Sequence, residues 1–195
     1  EYICMSEDSA LVLKPESISY TEAAAASDGL LVALPFLREK GEIKKGQKIL
    51  INGASGSVGS AAVQLAKHFG AEVTGVCSTK NMEMVKSLGA DHIIDYTKED
   101  FAKNGMNYDI IFDAVAKSTY CKCKKSLSES GIYLTTVPDL TSLLQWMFTS
   151  ISNKKKVRFA ATGLRPAEDK VKDLNYIKGL LEKETVRSVI DKTYI

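Results

Sequence analysis

The run Gly53-Ala-Ser-Gly-Ser-Val-Gly59 constrains the fold of this chain more than any other feature, because of what flanks it. Before it stands Gly46-Gln-Lys-Ile-Leu-Ile-Asn-Gly53, a short apolar run bounded by glycines, the pattern of a buried strand. After it, Val58, Ala62, Leu65, Ala66 and Phe69 recur at i, i+4, i+7, i+8 and i+11. That spacing gives a helix one apolar face, and Gly70 is placed to end it. Gly53 permits a tight exit from the strand. Gly56 lets the backbone come close to a bound group, and Gly59 lets the helix lie against the sheet. The N–H groups of Ser57 and Val58 then point outward with the helix dipole behind them. Ser55 and Ser57 add hydroxyls, so the turn is suited to phosphate. A plain tight turn would also satisfy the letters; the flanking strand and helix favour the phosphate reading.

The alternation continues along the chain. Thr21 is a plausible N-cap for a helix that begins with an alanine run, and a second helical stretch covers 30–38. Strands are expected at 71–77, His92–Asp95, Tyr108–Asp113, 131–137 and 157–162. Helices are expected at 81–88, 118–128, 140–151 and 166–181, the last with Pro166 in its first turn. Six strands alternating with helices imply an α/β fold with a doubly wound parallel sheet, the Rossmann arrangement. Residues 1–20 and 185–194 carry strand-like pieces outside that unit. They read as flanking remnants of a second, β-rich domain. The expected division is 1–20, 21–182 and 183–195.

The end of the second strand bears on which dinucleotide such a fold would hold. NAD-preferring sites place an acidic residue there, on the ribose hydroxyls. This chain reads Val76-Cys-Ser-Thr-Lys80, with no carboxylate. Ser78 and Thr79 offer hydroxyls and Lys80 a positive charge, which suits a 2′-phosphate and so NADP(H). A helix cap at Ser78 or Thr79 beside a solvated lysine is compatible with the same residues.

Composition narrows the alternatives. A net charge of +2 gives no reason to expect a nucleic-acid partner. Lys154, Lys155 and Lys156 read as a solvated lead-in to a strand. No apolar run reaches the ~18 residues of a membrane span. The first residues, Glu1-Tyr-Ile-Cys-Met, have neither the basic start nor the apolar run of a signal peptide. With no initiator Met, the sequence reads as a piece of a longer protein. Cys4, Cys77, Cys121 and Cys123 lack metal-site spacing and read as reduced thiols in a cytoplasmic protein, with no metal expected.

These segments together resemble the medium-chain dehydrogenase/reductase superfamily, in its quinone oxidoreductase branch without zinc. The carrying residues are 46–67, Cys77-Ser-Thr-Lys-Asn81, Leu88-Gly-Ala-Asp-His-Ile-Ile-Asp-Tyr96 and Tyr108-Asp-Ile-Ile-Phe-Asp-Ala-Val115. The resemblance implies NADPH-dependent reduction of a quinone, enone or related carbonyl. It places the pyrophosphate on Ser55, Gly56, Ser57 and Val58, and the 2′-phosphate among Ser78, Lys80 and Tyr96. It sets Val115 and Val137 beside the nicotinamide. Tyr96 also reads as an ordinary loop aromatic, and the two valines as core residues. Most of the family's GroES-like catalytic domain is absent, so the chain is expected to bind cofactor with little turnover, and its catalytic residues are unknown.

Two rival readings remain. Tyr120-Cys-Lys-Cys-Lys124 matches the letters of a short-chain dehydrogenase motif, but it follows the fourth strand too closely. A non-catalytic dinucleotide sensor or interaction module fits the same fold. Finally, Leu143, Leu144, Trp146, Met147, Phe148 and Ile151 cannot all face one sheet, which leaves apolar surface for a partner, expected to be a second copy.

Overall fold

The computed structural model describes residues 3–6, 8–138, 140–150 and 154–192. Glu1, Tyr2 and Ile151, named above, lie outside them, as does the end of the stretch 185–194. One six-stranded sheet, parallel throughout, organises the chain: β1 (Lys48–Asn52), β2 (Glu72–Cys77), β3 (His92–Asp95), β4 (Tyr108–Asp113), β5 (Leu127–Thr135) and β6 (Lys156–Phe159). Their spatial order is β3-β2-β1-β4-β5-β6, so the order reverses beside β1. This is the doubly wound α/β arrangement expected from the sequence.

Strand alternation sorts the core into two faces. Ile49, Ile51, Ile110, Phe112 and Leu134 pack with helices α1 (Tyr20–Pro35), α2 (Ser57–His68), α3 (Met82–Ser87) and α6 (Ala167–Glu182). Leu50, Ile111, Tyr133 and Val157 turn to the other face. There they meet Phe101, the single-turn helix α4 (Tyr120–Cys123) and Leu127. Helix α2 is buried almost all round, because α1 covers the side that the sheet does not.

Helix α1 starts at Tyr20, capped by Ser19 rather than Thr21. The Ser19 hydroxyl accepts from Glu22 N–H while the Glu22 carboxylate accepts from Ser19 N–H. The expected second helix at 30–38 is its continuation. Pro35 has no N–H to donate, and the chain goes on as a π turn, Phe36–Lys40, closed by Gly41 N–H on the Phe36 carbonyl.

The expected helix at 118–128 is mostly replaced. Tyr120, Cys123 and Leu127 have helical spacing, but the Ser126 hydroxyl donates to Ala102 O and that of Ser128 to Asp109. The chain therefore enters the sheet at Leu127, four residues early. Pro166 is the N-cap of α6 instead of lying in its first turn.

The flanking pieces read as strand-like hold no strand among the described residues, where they have no neighbouring strand to pair with. Residues 186–188 are instead laid on the helices. Val186 is buried, Gln64 exchanges hydrogen bonds with the backbone of Arg187, and the Ser188 hydroxyl donates to Glu22 O. No helix among the described residues is long and apolar enough to cross a membrane.

Candidate functional site: the carboxyl ends of the strands

Residues 53–59 leave the carboxyl end of β1, at the reversal of strand order where α/β sheets take their ligands. Gly53 has φ +83°, and a Cβ there would stand 2.4 Å from Val115 Cγ1. Its N–H and that of Ala54 both donate to the Val76 carbonyl, at 3.1 and 2.9 Å, which ties the turn to β2. At Gly59 a Cβ would lie 2.0 Å from Gly53 O, so only glycine lets α2 approach β1 this closely. Gly56 is the N-cap of α2 and supplies no side-chain acceptor to the helix N-terminus. A Cβ there would meet only Gly53 O, at 3.5 Å; the space before the exposed Gly56 and Ser57 is a cradle that a side chain would fill. Twelve residues of helix stand behind it. Uncapped N–H groups, the helix dipole and room for close approach fit a phosphate.

A cavity of about 240 Å³ extends from Ser55, Gly56 and Ser57 between α1 and the segment 187–191. It is smaller than the roughly 300–1,000 Å³ of a complete small-molecule site.

Beyond β2, Ser78 caps a short 3₁₀ turn, Thr79–Asn81, in a backbone sense only. Asn81, which the sequence reading passed over, joins this turn to the glycine turn. Its amide donates to Ser55 Oγ at 3.0 Å and to Ser78 Oγ at 3.4 Å. Lys80 is exposed, as is Tyr96, whose N–H donates to Cys77 O at the end of β2. Ser78, Lys80 and Tyr96 thus belong to two adjoining loops. Thr79 is at the same place, but its hydroxyl donates to Asp95.

Asp95 is the second omission. β2 ends without a carboxylate, yet β3 brings one into register with Cys77. It is 6% exposed, and it accepts from Thr97 N–H at 3.0 Å and Thr97 Oγ1 at 2.7 Å as well as from Thr79. The Thr79 and Thr97 hydrogen bonds hold its carboxyl well below the usual carboxylate range, with Lys98 adding to them. Both oxygens are engaged by protein donors, unlike those of a ribose-binding acid. In sequence it was one carboxylate among several; its adjacency to β2 comes from sheet register alone.

At the other end, Asp113 closes β4, fully buried. It accepts from Asn52 at 3.0 Å, from Tyr133 OH at 3.1 Å and from the N–H groups of Val115, Lys117 and Ser118. These bonds fold the loop through Ala116, at φ +51°, and set Val115 against Gly53. Val115 is 42% exposed and Val137, past β5, is 64% exposed; neither is a core residue. Burial pushes the Cys123 thiol up to about 11 and raises that of Cys77; Cys4 and Cys121 are exposed. Among the described residues no group of three or more His, Cys, Asp or Glu could hold a metal ion.

The family profile described as "Zinc-binding dehydrogenase" matches residues 57–136. The chain is 42% identical over 127 residues to "2-methylene-furan-3-one reductase" of Solanum lycopersicum, covering 64% of this chain and 32% of that protein. It is 31% identical to "Chloroplast envelope quinone oxidoreductase homolog" of Arabidopsis thaliana, covering 94% of this chain and 57% of the relative. Among solved structures, the quinone oxidoreductase from Coxiella burnetii superposes with a TM-score of 0.78 at 26% identity, over 92% of this chain and 55% of that one. The chain thus spans little more than half the length of such relatives, or less. With the sheet order and the glycine turn, these similarities support a place for the chain in the medium-chain dehydrogenase/reductase superfamily, in its quinone oxidoreductase-like branch.

Proposed function

We propose that this chain is the NADP(H)-binding part of an oxidoreductase acting on a quinone, an enone or a related carbonyl compound. The observation that carries the reading is the uncapped N-terminus of α2, opened by Gly56 at the reversal of strand order, beside a β2 end that offers Ser78 and Lys80 and no carboxylate of its own. Ser55, Gly56, Ser57 and Val58 hold the pyrophosphate, with Gly53 and Gly59 shaping the turn. Ser78, Lys80 and Tyr96 receive the 2′-phosphate. Thr79 stands among them with its hydroxyl turned to Asp95. Val115 and Val137 present apolar surface to the nicotinamide. The cofactor, when bound, supplies the hydride; the chain's residues bind and orient it. A relative named "NADPH-dependent alkenal/one oxidoreductase, chloroplastic" from Arabidopsis thaliana, 40% identical over 64% of this chain, supports the choice of cofactor and substrate class.

The test is titration of the chain with NADPH and with NADH. NADPH is expected to bind more tightly, and Lys80→Ala to weaken it by up to about fivefold, as befits an exposed charge. Equal affinities for the two cofactors overturn the reading.

The same proposal includes a homodimer. β6 is an edge strand of four residues beside α5 (Leu140–Ser150), a helix with no buried residue. Trp146 turns to the sheet and meets Phe159, ring centroids 5.8 Å apart, while Leu140, Met147 and Phe148 are 59–78% exposed. Exposed apolar area of this kind next to an open strand favours a second copy. Sedimentation that finds only monomer at micromolar concentration counts against it.

A further inference from the structure

Resting on the NADP(H) reading, we propose that Asp95 is the positioning residue of the adenosine end: its carboxylate ties the 78–81 turn to the 96–98 loop and so preforms the receptor for the 2′-phosphate. One oxygen accepts from Thr79 and lies 3.5 Å from Lys98 Nζ; the other accepts from the N–H and the hydroxyl of Thr97. The Asp95 carbonyl also accepts from Lys98 N–H and Glu99 N–H, each at 3.0 Å. One buried side chain thus fixes the residues on both sides of the proposed phosphate position, with Ser78 and Lys80 on one loop and Tyr96 on the other.

The sign of the charge makes the assignment testable. A carboxylate beside a phosphate repels it, and a carboxylate facing a ribose favours NADH over NADPH. Asp95 fits neither role, because hydroxyl, amide and ammonium donors engage both its oxygens. Charge-assisted bonds of this kind hold geometry well. Preforming the receptor lowers the ordering cost of binding.

The experiment titrates the wild-type chain, Asp95→Asn, Thr79→Val and Thr79→Ser with NADPH and NADH, with circular dichroism to check folding. Asp95→Asn and Thr79→Val are each expected to weaken NADPH binding about tenfold, the worth of one hydrogen bond to a charged group, and to leave NADH unchanged. Thr79→Ser, which keeps the donor, is expected to restore wild-type affinity. If Asp95→Asn does not fold, the Thr79 pair decides. Unchanged or tighter NADPH binding by Asp95→Asn overturns the proposal, as does equal loss of both cofactors or a larger loss of NADH. A wild type that binds both cofactors equally overturns the NADP(H) reading itself and this proposal with it. A wild type that prefers NADPH, with variants that lose both alike, overturns this proposal alone.

Discussion

The glycine turn at 53–59 and the rim formed by residues 78–81 and 95–98 meet where Asn81 donates to Ser55, but they hold their shapes by different means. The turn is built from backbone and from the absence of side chains. Its clearances are 2.0 Å at Gly59 and 2.4 Å at Gly53, distances no Cβ can share. The rim is built from side-chain hydrogen bonds, with Asp95 and Asn81 at its centre. A turn of the first kind tolerates no added atom at Gly53 or Gly59. A rim of the second kind tolerates additions and fails when an acceptor or donor is removed.

Substitutions can break or sharpen this contrast. Gly59→Ala is expected to have the largest effect, because the new methyl group meets backbone at 2.0 Å and α2 must move off β1. A loss of about 3 kcal/mol in urea unfolding is expected. Gly53→Ala is expected to cost about 2 kcal/mol, since φ +83° strains any L side chain. Part of the clash falls on Val115, an exposed side chain that can give way. Asn81→Ala removes only hydrogen bonds, and about 1 kcal/mol is expected on the same measurement. A smaller loss at Gly59 than at Asn81 would reverse the contrast.

The subtlest effect is in acid. The folded-state pKa of Asp95 is depressed, so its contribution to stability is complete above the unfolded value, about 3.9. That contribution is lost as pH falls from there toward the folded value. Urea midpoints of the wild type and Asp95→Asn should therefore differ at pH 7 and converge below about pH 4. A constant gap would place the effect of Asp95 elsewhere.

The same division explains what could be read from sequence. The glycine turn, the strand before it and the helix after it were legible because glycine spacing and apolar periodicity are local. The capping box at Ser19 and Glu22 was legible too, but the alanine run drew attention to Thr21 instead. Asp95 and Asn81 were not legible. Asp95 lies 16 residues from Thr79 and meets it only through the parallel register of β2 and β3. Asn81 reaches Ser55 across 26 residues. The helix expected at 118–128 failed for a related reason. Its apolar spacing was right, but Ser126 and Ser128 are held by Ala102 and Asp109 from distant parts of the chain. Long-range polar contacts leave no periodic trace in a sequence.

One further contact has a mechanical consequence. In the middle of α1, a Cβ on Gly29 would lie 2.5 Å from the carbonyl of Ser57, the first residue of α2. The two helices touch there without clearance. A side chain at residue 29 would therefore push α1 off α2 at Ser57, the residue that follows Gly56 in the glycine turn.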